Sequence, residues 1–92
     1  MSGSHRIPVD ERIRRELIEA DFEIAFNLID LSYAELGVGD SASALRALQD
    51  AEDVFHDIER RLTLIGDVKS RPFSSLVGEL KRQKALAKSQ IV

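Results

Sequence analysis

The stretch that decides the fold is Ala44–Ile65, ALRALQDAEDVFHDIERRLTLI. Its apolar positions Ala44, Leu48, Ala51, Phe55, Ile58, Leu62 and Ile65 keep a 4-3-4-3-4-3 spacing over three heptads. That spacing places all seven on one face of an α-helix, as a seam that lies along another helix. It predicts an all-α protein whose long helices have antiparallel neighbours.

Working outward from this seam, the preceding segment is also helical in pattern. From Asp10, a good cap or first-turn acid, no Gly or Pro intervenes before Gly37. Two apolar stripes run side by side: Ile13, Leu17, Ala20, Ile24, Leu28, Leu31, and Ile18, Phe22, Ala25, Ile29, Leu36. A face that wide predicts contact with two partners. Gly37-Val38-Gly39-Asp40 ends the helix, with Gly37 suited to a left-handed C-cap and Asp40 or Ser41 to the next N-cap. Gly66 ends the second helix, Asp67–Arg71 reads as a connector, and Pro72 suits the first turn of a third helix. The third helix carries Phe73, Leu76 or Val77, Leu80, Ala87 and Ile91 at helical spacing. The expected organisation is a flexible leader over 1–9 and one domain over 10–92, with helices at about 10–36, 40–65 and 71–90 joined by short loops. Such a chain forms an antiparallel three-helix bundle.

Composition bounds the function. The chain has 92 residues, enough for one modest core. It has no Cys, which excludes disulfides and thiolate metal sites. No apolar run has the length of a membrane span. The first residues, Met1-Ser-Gly-Ser-His-Arg, lack the apolar stretch of a signal peptide. These features point to a cytoplasmic protein. The net charge is only −3, but it is unevenly placed. Residues 16–59 hold twelve acids and the single base Arg46, whereas residues 60–92 hold eight bases and two acids. A basic third helix lying against acidic neighbours accounts for this. Without aromatic residues among the bases it argues against nucleic acid as a partner.

The hairpin Asn27–Asp57 resembles a single tetratricopeptide-type unit. The residues that carry the likeness are Leu28, Leu31 and Ser32, the turn Gly39-Asp40, then Ala44, Leu48 and Ala51, with LGVGDSASALRAL (Leu36–Leu48) reading as the turn and second helix. In that family small residues let the two helices approach closely. Ala44 and Ala51 would do so here, opposite Ser32. The pattern departs from the family at Glu35, where an aromatic is usual, and at His56, where a Pro is usual. A single unit also cannot build a solenoid. The chain is similar as well to small bacterial helical proteins and to the microtubule-interacting-and-transport type of three-helix domain. The resemblance implies a TPR-like protein-interaction scaffold without naming a partner.

Catalytic and metal chemistry find little support. Asp53 and His56 share a helix face, and Glu16, Glu19 and Glu23 are carboxylates on the first helix, yet the only other histidine is His5. A carboxylate-bridged metal pair needs two His-bearing helices. His56 sits among Asp53, Asp57 and Glu59, which repel a phosphoryl group. The serines cluster at helix starts, where capping explains them, and Gly37-Val38-Gly39 lacks the length and Lys of a phosphate loop. The expectation is therefore a non-catalytic protein with no cofactor and no metal. The alternative is a small helical enzyme or ligand binder with a site between helices or across a dimer interface. The partner expected first is a second copy. One neighbour cannot cover both stripes of the first helix, and a two-fold homodimer would bury Phe22, Phe26, Ile29 or Tyr33.

Overall fold

Three long helices and one short one make up almost all of the described backbone. In the computed structural model the backbone is described for residues 3–91 and the side chains for 11–91. Helix α1 spans Gly3–Gly37, α2 Ser41–Ile65, α3 Asp67–Ser70 and α4 Ser74–Ile91, with a 3-10 turn at Arg71–Phe73 before α4. No strand occurs among the described residues.

Helix α1 begins ahead of the start expected at residue 10. Gly3–Val9, read from the sequence as leader, is helical backbone that runs on through Pro8. Met1 and Ser2 of that leader lie outside the described residues. The segment Asp67–Arg71, expected as a connector, is also helical: Gly66 alone separates α2 from α3. Pro72 sits in the 3-10 turn, where its missing N–H costs little.

The turn between α1 and α2 takes only three residues, Val38–Asp40. The C-cap falls on Gly39, not Gly37: Gly39 takes φ +85°, while Gly37 keeps helical geometry. Asp40 N–H donates to Glu35 O at 2.9 Å and Gly39 N–H to Leu36 O at 3.0 Å, the paired bonds of a Schellman motif. Asp40 then caps α2. Its Oδ1 accepts from Ser43 N–H at 3.0 Å and its Oδ2 from the Ser43 hydroxyl at 2.7 Å. The Ser43 backbone N–H, with its hydroxyl, holds the Asp40 carboxyl below the usual carboxylate range.

Helices α1 and α2 pack closely along most of their shared length. The seam read from the sequence is the buried face of α2: Ala44, Leu48, Ala51, Phe55 and Ile58 are buried, and Leu62 and Ile65 half-buried. Opposite it, α1 contributes Ile18, Phe22, Ala25, Ile29 and Ser32, all buried. Ala25, Ser32, Ala44 and Ala51 are the small residues that permit the close approach. The Ser32 hydroxyl, buried with them, donates to Ile29 O at 2.6 Å and so is not orphaned. Phe73, Leu80 and Ala87 close the core from the third side, and the Phe73 ring stacks on Phe22 at 6.0 Å between centroids.

The molecule is a rod of 59 × 20 × 15 Å with a radius of gyration of 15.9 Å. A compact chain of this length would have about 12 Å. The accessible surface is 6317 Å², against about 5,350 Å² for an ordinary monomer of this mass.

Candidate interaction surface

The core uses Ile18, Phe22, Ala25 and Ile29 of one α1 stripe and, of the other, Leu28, which is half-buried against it. A helix advances 100° per residue, so Ile18, Phe22, Ala25 and Ile29 point one way, and Ile13, Leu17, Ala20, Ile24 and Leu31 point roughly 140° away from them. On that far face Ile13 is 48% exposed, Leu17 43%, Ile24 48% and Leu31 45%. Ala20 and Ala34 are exposed between and beyond them. Scattered exposed aliphatics are ordinary, but these share one side of α1, with Ala20 between Leu17 and Ile24 and the row interrupted at Asn27 before Leu31. Along one border of the row stand Glu16, Glu23 and Asp30, seven residues apart and all exposed.

A second surface lies between α2 and α4. A groove of about 320 Å³ is lined by Leu48, Glu52 and Phe55 of α2 and by Lys81, Lys84, Ala85 and Lys88 of α4. It runs on toward Leu45 and Gln49. Lys84 is half-buried: its ammonium pairs with Glu52 of α2 and stands 4.0 Å from the centre of the Phe55 ring. Lys81 and Lys88, one turn to either side, are exposed and have no ion-pair partner among the described residues.

Of the residues expected to meet a partner, Phe22 is 2% exposed and Ile29 0%. Both belong to the core and cannot present a surface, which corrects the expectation for these two. Phe26 is half-buried and stacks on Phe22 at 6.5 Å, and Tyr33 is 42% exposed. The four are thus split between interior and surface. Size in the sequence does not separate the stripes: each holds one alanine, Ala20 or Ala25, among large side chains, and the one that carries Phe22 and Ala25 is the one buried.

The basic C-terminal third is partly neutralised within the molecule. Arg61 Nε lies 3.0 Å from the buried Oδ2 of Asp21, an ion pair without an aligned hydrogen bond, and Lys69 pairs with Glu11. Lys69 holds the Glu11 carboxyl below its usual range. On α4, Arg82 and then Gln83 do the same for Glu79. His56 is exposed and lies 3.5 Å from Glu59, with Asp53 also at the surface. No group of three or more metal-ligating side chains occurs among the described residues. A shallow cleft of about 190 Å³ between α1 and α2 is lined by Arg14, Ile18, Arg61, Leu64 and Ile65. Among the described residues no helix is long and apolar enough to cross a membrane.

No family model, curated protein or solved structure matches the chain. The surfaces above are therefore read on their own chemistry.

Proposed function

We propose that this protein is a small non-catalytic interaction domain that associates with itself. In this reading it is an antiparallel three-helix bundle whose first two helices form a tetratricopeptide-like hairpin, and it works in the cytoplasm as a scaffold. The observation that carries the proposal is the unused apolar row Ile13, Leu17, Ile24 and Leu31 on α1. Fully burying a side chain of this size is worth about 1.5–3 kcal/mol. Each is already half-covered, so burying the rest of all four contributes roughly 3–6 kcal/mol per protomer. Association costs about 4–15 kcal/mol in lost freedom, so the row supplies much of a contact and needs help from charge.

The hairpin reading is supported by the three-residue turn between α1 and α2 and by the buried small residues Ser32, Ala44 and Ala51. The elongated shape exposes about 1,000 Å² beyond an ordinary monomer of this mass, similar to one side of a standard interface. A ligand-binding alternative would use the cleft at Arg14 and Arg61, but Leu64 in its wall is 76% exposed, so that cleft encloses little. Sedimentation velocity from 5 to 500 μM tests the proposal. The expected result is a weight-average mass that rises above the 10.3 kDa of one chain. A single 10.3 kDa species across the whole range refutes self-association.

A further inference from the structure

We infer that the self-contact is between unlike faces: the apolar row of α1 on one copy seats in the lysine-walled groove between α2 and α4 of another. This rests on the proposed self-association and names its geometry.

Pairing the α1 row with itself is opposed by its own border. Run antiparallel with Ile13 opposite Leu31, and therefore Leu17 opposite Asn27 and Ala20 opposite Ile24, the two rows bring Glu16 against Asp30 and Glu23 against Glu23. Run parallel and in register, they bring Glu16 toward Asp21 and Asp30 toward Glu35. In both directions acid meets acid at the flanking positions that decide helix pairing. The surface that fits is apolar in the middle and basic at the edge.

The α2–α4 groove has that composition. Ala85 and, farther along, the 40%-exposed Leu45 offer apolar surface beside the buried Leu48 and Phe55, Glu52 is held by Lys84, and Lys81 and Lys88 line the same groove. These two lysines are seven residues apart, about 10.5 Å along a helix. Glu16, Glu23 and Asp30 repeat at the same step, so a helix laid along the groove can bring two successive acids to the two lysines together. Lys84, between them, is already engaged by Glu52 and Phe55. The remaining two supply the free positive charge.

A copy cannot satisfy itself, because its α1 row faces away from the core helices that form the groove. The contact is heterologous. Each chain offers one row and one groove, so assembly either closes into a ring or grows with concentration.

Charge reversal tests this. One variant carries Lys81→Glu and Lys88→Glu; the other carries Glu16→Lys, Glu23→Lys and Asp30→Lys. All five side chains are exposed, and far-ultraviolet circular dichroism checks that the helices persist. Each variant alone is expected to associate at least tenfold more weakly than the parent by sedimentation at 50 mM salt. An equimolar mixture is expected to recover the parental mass, because each variant supplies the face the other lacks. If the parent associates but Lys81→Glu/Lys88→Glu associates equally well, the groove is not the docking face and self-association stands by another surface. If both variants lose association and the mixture does not recover it, the pairing of these two faces is wrong. A parent that stays at 10.3 kDa removes both readings. Should the reversed chains lose helicity, Lys81→Gln/Lys88→Gln reads the same contact. A threefold or greater weakening is expected, and unchanged association overturns the inference.

Discussion

Replacing Ala51 by Leu tests whether α1 and α2 meet through small residues. Ala51 is fully buried, in one core cluster with Ile29, Leu48, Phe55 and Ile58. Leu adds three carbon atoms where no accessible surface remains. The helices must move apart or the neighbours must leave their preferred rotamers, at a cost of about 1–3 kcal/mol. A domain of this length has a total stability of about 5–14 kcal/mol, so the loss is a large fraction. At about 4–8 °C per kcal/mol for a domain of this size, a mid-range cost of about 2 kcal/mol lowers the melting temperature by roughly 8–16 °C. The assay is thermal and urea unfolding followed by circular dichroism at low micromolar concentration, where association adds least to apparent stability. The urea slope should stay constant, since the surface exposed on unfolding hardly changes. Ala42→Leu, at an exposed position of the same helix, serves as control and should stay within about 0.5 kcal/mol. An Ala51→Leu protein as stable as its parent refutes the reasoning: the α1–α2 contact would then have room for a branched side chain, and close approach through alanines would not define the hairpin.

The link between α2 and α3 should be equally sensitive for a different reason. Gly66 has φ 92° and ψ 165°, and nothing lies within 4 Å of a Cβ built there, so Gly66→Ala should cost about 1–3 kcal/mol from backbone conformation alone; urea unfolding indistinguishable from the parent contradicts this. Leu17→Ser with Ile24→Ser should cost the monomer only about 1.5–3 kcal/mol, the worth of the covered half of two such side chains, while weakening self-association tenfold or more in sedimentation. A large stability loss with association intact would mean that the row belongs to the core. The carboxyls of Glu11, Asp40 and Glu79 are held below their usual range, by Lys69, by Ser43, and by Arg82 with Gln83 respectively. Their unfolded forms bind protons more readily, so the stability they contribute is fully present above roughly pH 4.5. It is lost as the pH falls through the lowered values. Urea midpoints measured from pH 6 to pH 3 should therefore decrease, and a midpoint that rises on acidification disproves the sign.

The parts of the fold that were legible are those where a repeating physical constraint acts. In α2 every apolar residue at 3- and 4-residue spacing serves one interface, so periodicity alone identifies Ala44, Leu48, Ala51, Phe55 and Ile58 as interior. Local chemistry narrowed the cap to Asp40 or Ser41, and Asp40 takes it, its carboxylate accepting from the otherwise orphaned N–H of Ser43. Chain ends and turns were less legible. Several residues near Gly37 can carry a positive φ, and which one does depends on how far α1 must run before α2 can pack; the answer, Gly39, is tertiary. The helical run through Asp67–Phe73 has the same origin, with Phe73 drawn in against Phe22.

The candidate surface illustrates the deeper limit. Periodicity finds apolar stripes but does not say which stripe of a two-striped helix turns inward. On α1 both have the spacing of a core face, and size does not decide between them: the exposed stripe holds Ala20, and the buried one holds Ile18, Phe22 and Ile29 beside Ala25. The choice is tertiary. Phe73 of the 3-10 turn stacks on Phe22, and Leu80 and Ala87 are buried in the core with that face. A helix with two apolar stripes and one covered face leaves Ile13, Leu17, Ile24 and Leu31 at the surface, and it is through this remainder that we propose the protein assembles.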